Sequence, residues 1–171
     1  TWLLAEGSTG FFNTFVLIAN PDPAQTATLS VTFLKSDGTT VTRAYTVGPN
    51  SRYNIWVNAE IPELAGQPFS TIVRSTNGVG VVVERAMYFG PGYKGGHESA
   101  GVTSPSATWY FAEGYTGPPP PSPLAFDTFL LLANPSSSPV SATVTFFREV
   151  GGPLSRTYNL LPTSRENIWV D

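Results

Sequence analysis

The sequence of 171 residues contains no cysteine. Disulfide staples and thiolate metal sites are therefore excluded, and any fold must rest on its apolar core. Charge is also scarce. Charged residues make up 12% of the chain, roughly half the usual share for a globular protein. The nine basic residues are spread thinly and the net charge is -3, so no basic stripe offers itself to nucleic acid. Long apolar runs are missing too. Residues 15–19 and 129–133 are far too short to span a bilayer, which argues against membrane insertion. No segment reads as a signal peptide. The chain starts at Thr1, and we expect it to be a mature or excised piece of something longer. Helical periodicity is absent throughout.

What is present points to strands. Hydrophobic residues reach 41% and aromatic residues 13%, which excludes a disordered polymer. Thr, Ser, Asn, Gly and Pro supply the polar surface, a composition suited to half-buried strands and tight turns.

The chain repeats itself. Thr1-Trp2-Leu3-Leu4-Ala5-Glu6-Gly7 returns as Thr108-Trp109-Tyr110-Phe111-Ala112-Glu113-Gly114. Phe15-Val16-Leu17-Ile18-Ala19-Asn20-Pro21 returns as Phe129-Leu130-Leu131-Leu132-Ala133-Asn134-Pro135. Val31-Thr32-Phe33 returns as Val144-Thr145-Phe146, and Ser51-Arg52 with Asn54-Ile55-Trp56-Val57 as Ser164-Arg165 with Asn167-Ile168-Trp169-Val170. Collinear blocks of this length mark tandem copies. The second copy carries a Pro-rich insertion at 118–124, where a stiff polyproline loop is expected. Nothing in the chain matches residues 59–106 a second time. The division expected is a complete unit over 1–106, with a Gly/Ser/Pro-rich linker at about 90–106, then the first half of a second unit over 107–171.

Alternation of apolar and polar residues places strands at 2–5, 12–19, 29–33, 41–47, 53–57, 69–75 and 79–89. Asp37-Gly38 and Asn77-Gly78 read as hairpin turns, and 59–68 as a crossing loop. About seven short strands per unit predict an all-β fold of immunoglobulin-like β-sandwich repeats, one full unit plus half of a second.

The blocks Trp109-Tyr110-Phe111-Ala112-Glu113-Gly114, Leu130-Leu131-Leu132-Ala133-Asn134-Pro135 and Val83-Glu84-Arg85-Ala86-Met87-Tyr88-Phe89 resemble an uncharacterised tandem-repeat family of large secreted or surface proteins of environmental bacteria. The resemblance covers the whole chain. It implies tandem β-sandwich modules outside the cell, and it implies no activity and no catalytic residue.

Chemistry-bearing residues are few. His97 is the only histidine, in Gly95-Gly96-His97-Glu98-Ser99. Without a nucleophile-elbow motif it reads as a loop residue, not as part of a Ser-His-acid triad. No second ligand cluster accompanies His97 and Glu98, so no metal and no cofactor is expected. Glu6 and Glu113 precede glycines at turns, where accepting backbone N–H groups or pairing with arginine outweighs glycoside chemistry. Arg52 and Arg165 open equivalent strands and can reach a loop carbonyl or that glutamate. Glu84 and Arg85 are neighbours on a strand, so they face opposite ways and one must lie among apolar residues. An ion pair with another strand is expected, with Arg74 or Arg43 as partner for Glu84. If Ile55 and Val57 face inward, Trp56 faces out, as does Trp169, for stacking on sugars or packing on a neighbouring module. A half unit would leave an apolar face open, including Val144 and Phe146.

These readings favour a non-enzymatic structural module outside the cell or on its surface, bacterial in its resemblance. Its expected partners are copies of itself packed head to tail into a stalk, sheath or filament. The alternative is an adhesive module that binds glycans.

Overall fold

A computed structural model describes residues 1–116 and 128–170; the Pro-rich insertion expected to differ between copies lies outside the described residues. Residues 1–100 form β1 (Trp2–Leu4), β2 (Asn13–Asn20), β3 (Ala27–Leu34), β4 (Thr40–Val47), β5 (Ser51–Trp56), a one-turn helix α1 (Val57–Glu60), a 3-10 turn (Pro62–Leu64), β6 (Ser70–Ser75), β7 (Val82–Phe89) and β8 (Gly95–Ala100). The order β1-β6-β3-β4 makes one sheet and β5-β2-β7-β8 the other. Every pairing is antiparallel.

The period of two in the sequence becomes the two faces of each sheet. In β2, Thr14, Val16, Ile18 and Asn20 are buried while Phe15, Leu17 and Ala19 point away. In β3, Leu29, Val31 and Phe33 meet them from the opposite sheet. Val83, Val73, Ile55 and Phe69 complete the shared core. The fold is an all-β sandwich. Immunoglobulin constant domains place strands A, B, E and D in one sheet and C, F and G in the other. Here consecutive strands β1 and β2 lie in different sheets, so the strand order is not that one.

Three details depart from the sequence reading. Asn77-Gly78 does not close a hairpin, because β6 and β7 belong to different sheets. The Asn77 side chain is spent on β3 instead: its Oδ1 accepts from the Thr28 N–H at 3.1 Å and its Nδ2 donates to the Thr26 carbonyl at 2.8 Å. The turn thus carries the chain across the sandwich. Second, the stretch 59–68, expected as a loop, begins within the short helix α1 and contains the 3-10 turn. Third, the stretch expected as linker holds an eighth strand, β8, paired with β7 from Glu84↔Ala100 to Phe89↔Gly95. Its glycines reflect close approach, not flexibility. A Cβ on Gly95 would fall 2.5 Å from the Phe89 ring, and one on Gly96 2.7 Å from Tyr88.

Residues 128–170 form β9 (Phe129–Asn134), β10 (Val140–Phe146), β11 (Leu154–Leu160) and β12 (Ser164–Trp169). β9 pairs with β12, and β10 with β11. Their registers follow the first copy. Phe15↔Trp56 and Ala19↔Arg52 correspond to Phe129↔Trp169 and Ala133↔Arg165. Ala27↔Val47 and Phe33↔Val41 correspond to Val140↔Leu160 and Phe146↔Leu154. Even the turns agree: Asn50 and Thr163 both take left-handed backbone, at φ 45° and 46°. Each donates its N–H across that end of the unit, Asn50 to the Asp22 carbonyl and Thr163 to that of Ser136.

Candidate functional site

Three features stand out, and each grows from a strand whose inward or outward face the sequence sets. The first is a polar cluster where the segment after β1 reaches β7 and β8. Arg85 lies opposite Val16 and Ser99 and faces inward like Val83 and Met87. Only 3% of its surface is exposed. Its Nη2 meets Glu6 Oε2 at 2.8 Å and Ser99 Oγ at 2.9 Å, and its Nη1 meets His97 Nδ1 at 3.0 Å. A guanidinium only donates, so Nδ1 is the acceptor and the other ring nitrogen, Nε2, is the donor. That nitrogen points to Glu6 Oε1 at 3.6 Å. Burial pushes the Arg85 pKa down, while the Glu6 and Glu98 carboxylates push it back up.

Glu6 is held in place by its neighbour. The Gly7 carbonyl accepts from the Phe69 N–H at 2.8 Å, and a Cβ on Gly7 would lie 2.3 Å from the buried Phe69 ring. Only glycine fits against that ring with Glu6 beside Arg85. The cluster is no triad: an arginine stands where a nucleophile's base would work, and Ser99 bonds to Arg85. Among the described residues, no three His, Cys, Asp or Glu side chains converge as a cation site.

The second feature is the junction between the two copies. The Leu161–Ser164 turn of the second copy packs on the β3–β4 hairpin tip of the first. Thr163 Oγ1 donates to the Gly38 carbonyl at 3.1 Å, and a Cβ on Gly38 would lie 3.2 Å from the Pro162 carbonyl. Beside it, Arg165 is 1% exposed, with Nε and Nη1 lacking hydrogen-bond partners. Burial lowers its pKa, opposed first by the Glu6 carboxylate and then by Glu166. At the equivalent position of the first copy Arg52 is exposed, with its Nη2 on Asn54 Oδ1 at 2.9 Å.

The third feature is an aromatic strip on the outer face of β5-β2-β7. Ile55 and Val57 are buried and Trp56 is 41% exposed, the orientation alternation requires. Trp56 stacks on Phe15 at 5.9 Å between centroids, Phe15 meets Tyr88 edge to face, and Tyr88 leans on Tyr93. Phe129 and Trp169 stack the same way in the second copy, at 6.4 Å.

Glu84 departs from expectation. It lies on the outer face of its sheet, whereas Arg43 and Arg74 sit in the other one, and Arg43 pairs with Glu63. The buried member of the Glu84–Arg85 neighbours is the arginine, and its partner is Glu6. Sequence reasoning also placed His97 in a linker. The alternation from Val81 to Phe89 extends to a partner strand whose small residues fit beneath large rings, and that was the signal available. Val144 and Phe146 are half-buried on the same face as Ala142, whereas Val31 and Phe33 are fully buried.

No protein-family model and no curated protein matches the chain. Among solved structures, the chain is similar to Thermotoga maritima 1070, with 21% identity and a TM-score of 0.51 over 59% of this chain and 90% of that one. The Anabaena sensory rhodopsin transducer aligns with 22% identity and a TM-score of 0.43, over 49% of this chain and 83% of that one. The Thermotoga likeness is one of fold.

Proposed function

We propose that this chain is part of an extracellular structural protein built by head-to-tail packing of β-sandwich repeats, as in a stalk, sheath or filament. The observation that carries this reading is the junction, where Arg165 of one copy is buried and Thr163 of that copy caps the hairpin tip of the other at Gly38. Such a contact joins different ends of equivalent units. Heterologous contacts propagate into open assemblies unless the rotation closes a ring. The half-buried inner face of β9 and β10 supports association further. Leu130, Leu132, Val144 and Phe146 are partly exposed where Val16, Ile18, Val31 and Phe33 are sealed. Strands of another copy would cover that face by main-chain pairing. Negative-stain electron microscopy of the concentrated chain tests the reading. Linear particles one unit wide are expected, and a uniform field of isolated units would overturn it.

A second reading is favoured by the aromatic strip. Trp56, Phe15, Tyr88 and Tyr93 present ring faces and edges in a row, and sugar rings stack on such surfaces. This makes the module adhesive, binding glycans along β5-β2-β7. A glycan array probed with wild type and Trp56→Ala decides it: signals lost in the variant support binding, and a blank array for both removes it.

A further inference from the structure

The junction inside the chain shows how the turn end of one copy seats on the hairpin end of another, and the first copy carries the same turn end uncovered. Asn50, Ser51 and Arg52 occupy the positions of Thr163, Ser164 and Arg165. The backbone matches, with left-handed φ at Asn50 and Thr163 and the same strand register beyond them. Yet all three are exposed, while Ser164 and Arg165 are buried. They border an open depression between the end of β2 and Val82. We propose that this end of the first copy docks the hairpin end of a second copy of this chain, with Arg52 as its charged anchor. The inference rests on the head-to-tail reading above and assigns the face that carries it.

The occupant follows from the same correspondence. The hairpin end of the second copy repeats the hairpin tip that Thr163 meets in the first. Glu113 stands in the sequence where Glu6 does, and Gly151 where Gly38 does. Gly151 takes left-handed backbone at φ 91°, as Gly38 does at 83°. Its carbonyl accepts from Arg148 Nη2 at 2.5 Å and retains a second lone pair for a donor from Asn50. Glu113 is exposed. A cationic Arg52 and an anionic Glu113 are thus both exposed and available to pair between molecules. Charge complementarity of this kind fixes both partner and register, and truncating one member of a desolvated charge pair weakens binding steeply. Asn50 supplies an amide where Thr163 supplies a hydroxyl, and either donates to the hairpin carbonyl.

The test is sedimentation equilibrium of the full chain across a concentration series, for wild type, Arg52→Glu, and Arg52→Glu combined with Glu113→Arg. Arg52 is exposed and its guanidinium bonds to the neighbouring Asn54, so circular dichroism and thermal midpoint should be unchanged in the variants. Wild type should rise in average mass above 18.3 kDa with concentration. Arg52→Glu should weaken self-association by at least about tenfold, and the double charge reversal should restore most of it. If Arg52→Glu associates as wild type does, the assigned face is wrong while head-to-tail assembly itself survives. If wild type stays at 18.3 kDa up to about 1 mM, weak association at the usual scale is absent and both ideas fall.

Discussion

Replacing Glu6 by alanine should damage this protein more than any other single charge removal. Glu6 is the counter-charge for Arg85, which is 3% exposed. Removing one partner of a buried ion pair costs about 3–5 kcal/mol, because the remaining charge stays buried without compensation. The Glu6 side chain is 28% exposed, so water partly screens it and the lower end applies, about 3 kcal/mol. For a unit of roughly 100 residues, each kcal/mol shifts the melting midpoint by about 4–8 °C, giving a fall of roughly 12–24 °C. Glu6→Gln keeps an acceptor for Arg85 Nη2 but not the charge, and should fall between. Arg85→Met should cost less than Glu6→Ala, since the freed carboxylate reaches solvent. Urea unfolding followed by tryptophan fluorescence and calorimetry measures all three. A Glu6→Ala midpoint within a degree or two of wild type, or an Arg85→Met variant clearly worse than Glu6→Ala, would refute this account of the cluster.

Other outcomes follow from the same geometry. Asn20 is buried and its Nδ2 spans three carbonyls, those of Gln25, Val47 and Gly48, at 2.8–3.0 Å. Asn20→Ala should cost about 2–4 kcal/mol in urea unfolding by leaving them unsatisfied, while Asn20→Asp should be no better because it lacks the donors. Burial, reinforced by the Glu60 carboxylate, raises the Tyr45 pKa. A group raised in the folded state contributes full stability below its unfolded value, about 10, and loses it as pH rises toward the folded value. The thermal midpoint should therefore drop above about pH 10, less steeply in Tyr45→Phe, and parallel alkaline curves for the two would contradict the cause given.

Much of the fold was legible because burial in a sandwich writes itself as period two. The alternation in β3 and β4, the outward turn of Trp56 and the matched registers of the two copies all follow from it. Partner choice between strands was less legible. Asn77-Gly78 has the composition of a hairpin, but side-chain bonds to β3 decide that the turn crosses between sheets. β8 escaped notice because Gly95 and Gly96 look like linker residues, when they are small to admit Phe89 and Tyr88. With β8 unseen, His97 could not be placed beside Glu6 and Arg85. That Glu6 would serve an arginine was foreseeable from its recurrence. Which arginine was not: the partner is Arg85, on a strand whose inward face only the sandwich brings to Glu6, while Arg52 and Arg165 share one sequence context and differ in what lies against them.

The central claim, that the turn end of one copy seats firmly on the hairpin end of another, is tested most directly by nuclear magnetic resonance on the whole chain. The account predicts nuclear Overhauser contacts from the Thr163 methyl to the Gly38 α-protons, and one rotational correlation time shared by β3–β4 and β11–β12. Absent contacts, with residues 128–170 tumbling independently of residues 1–100, would contradict it.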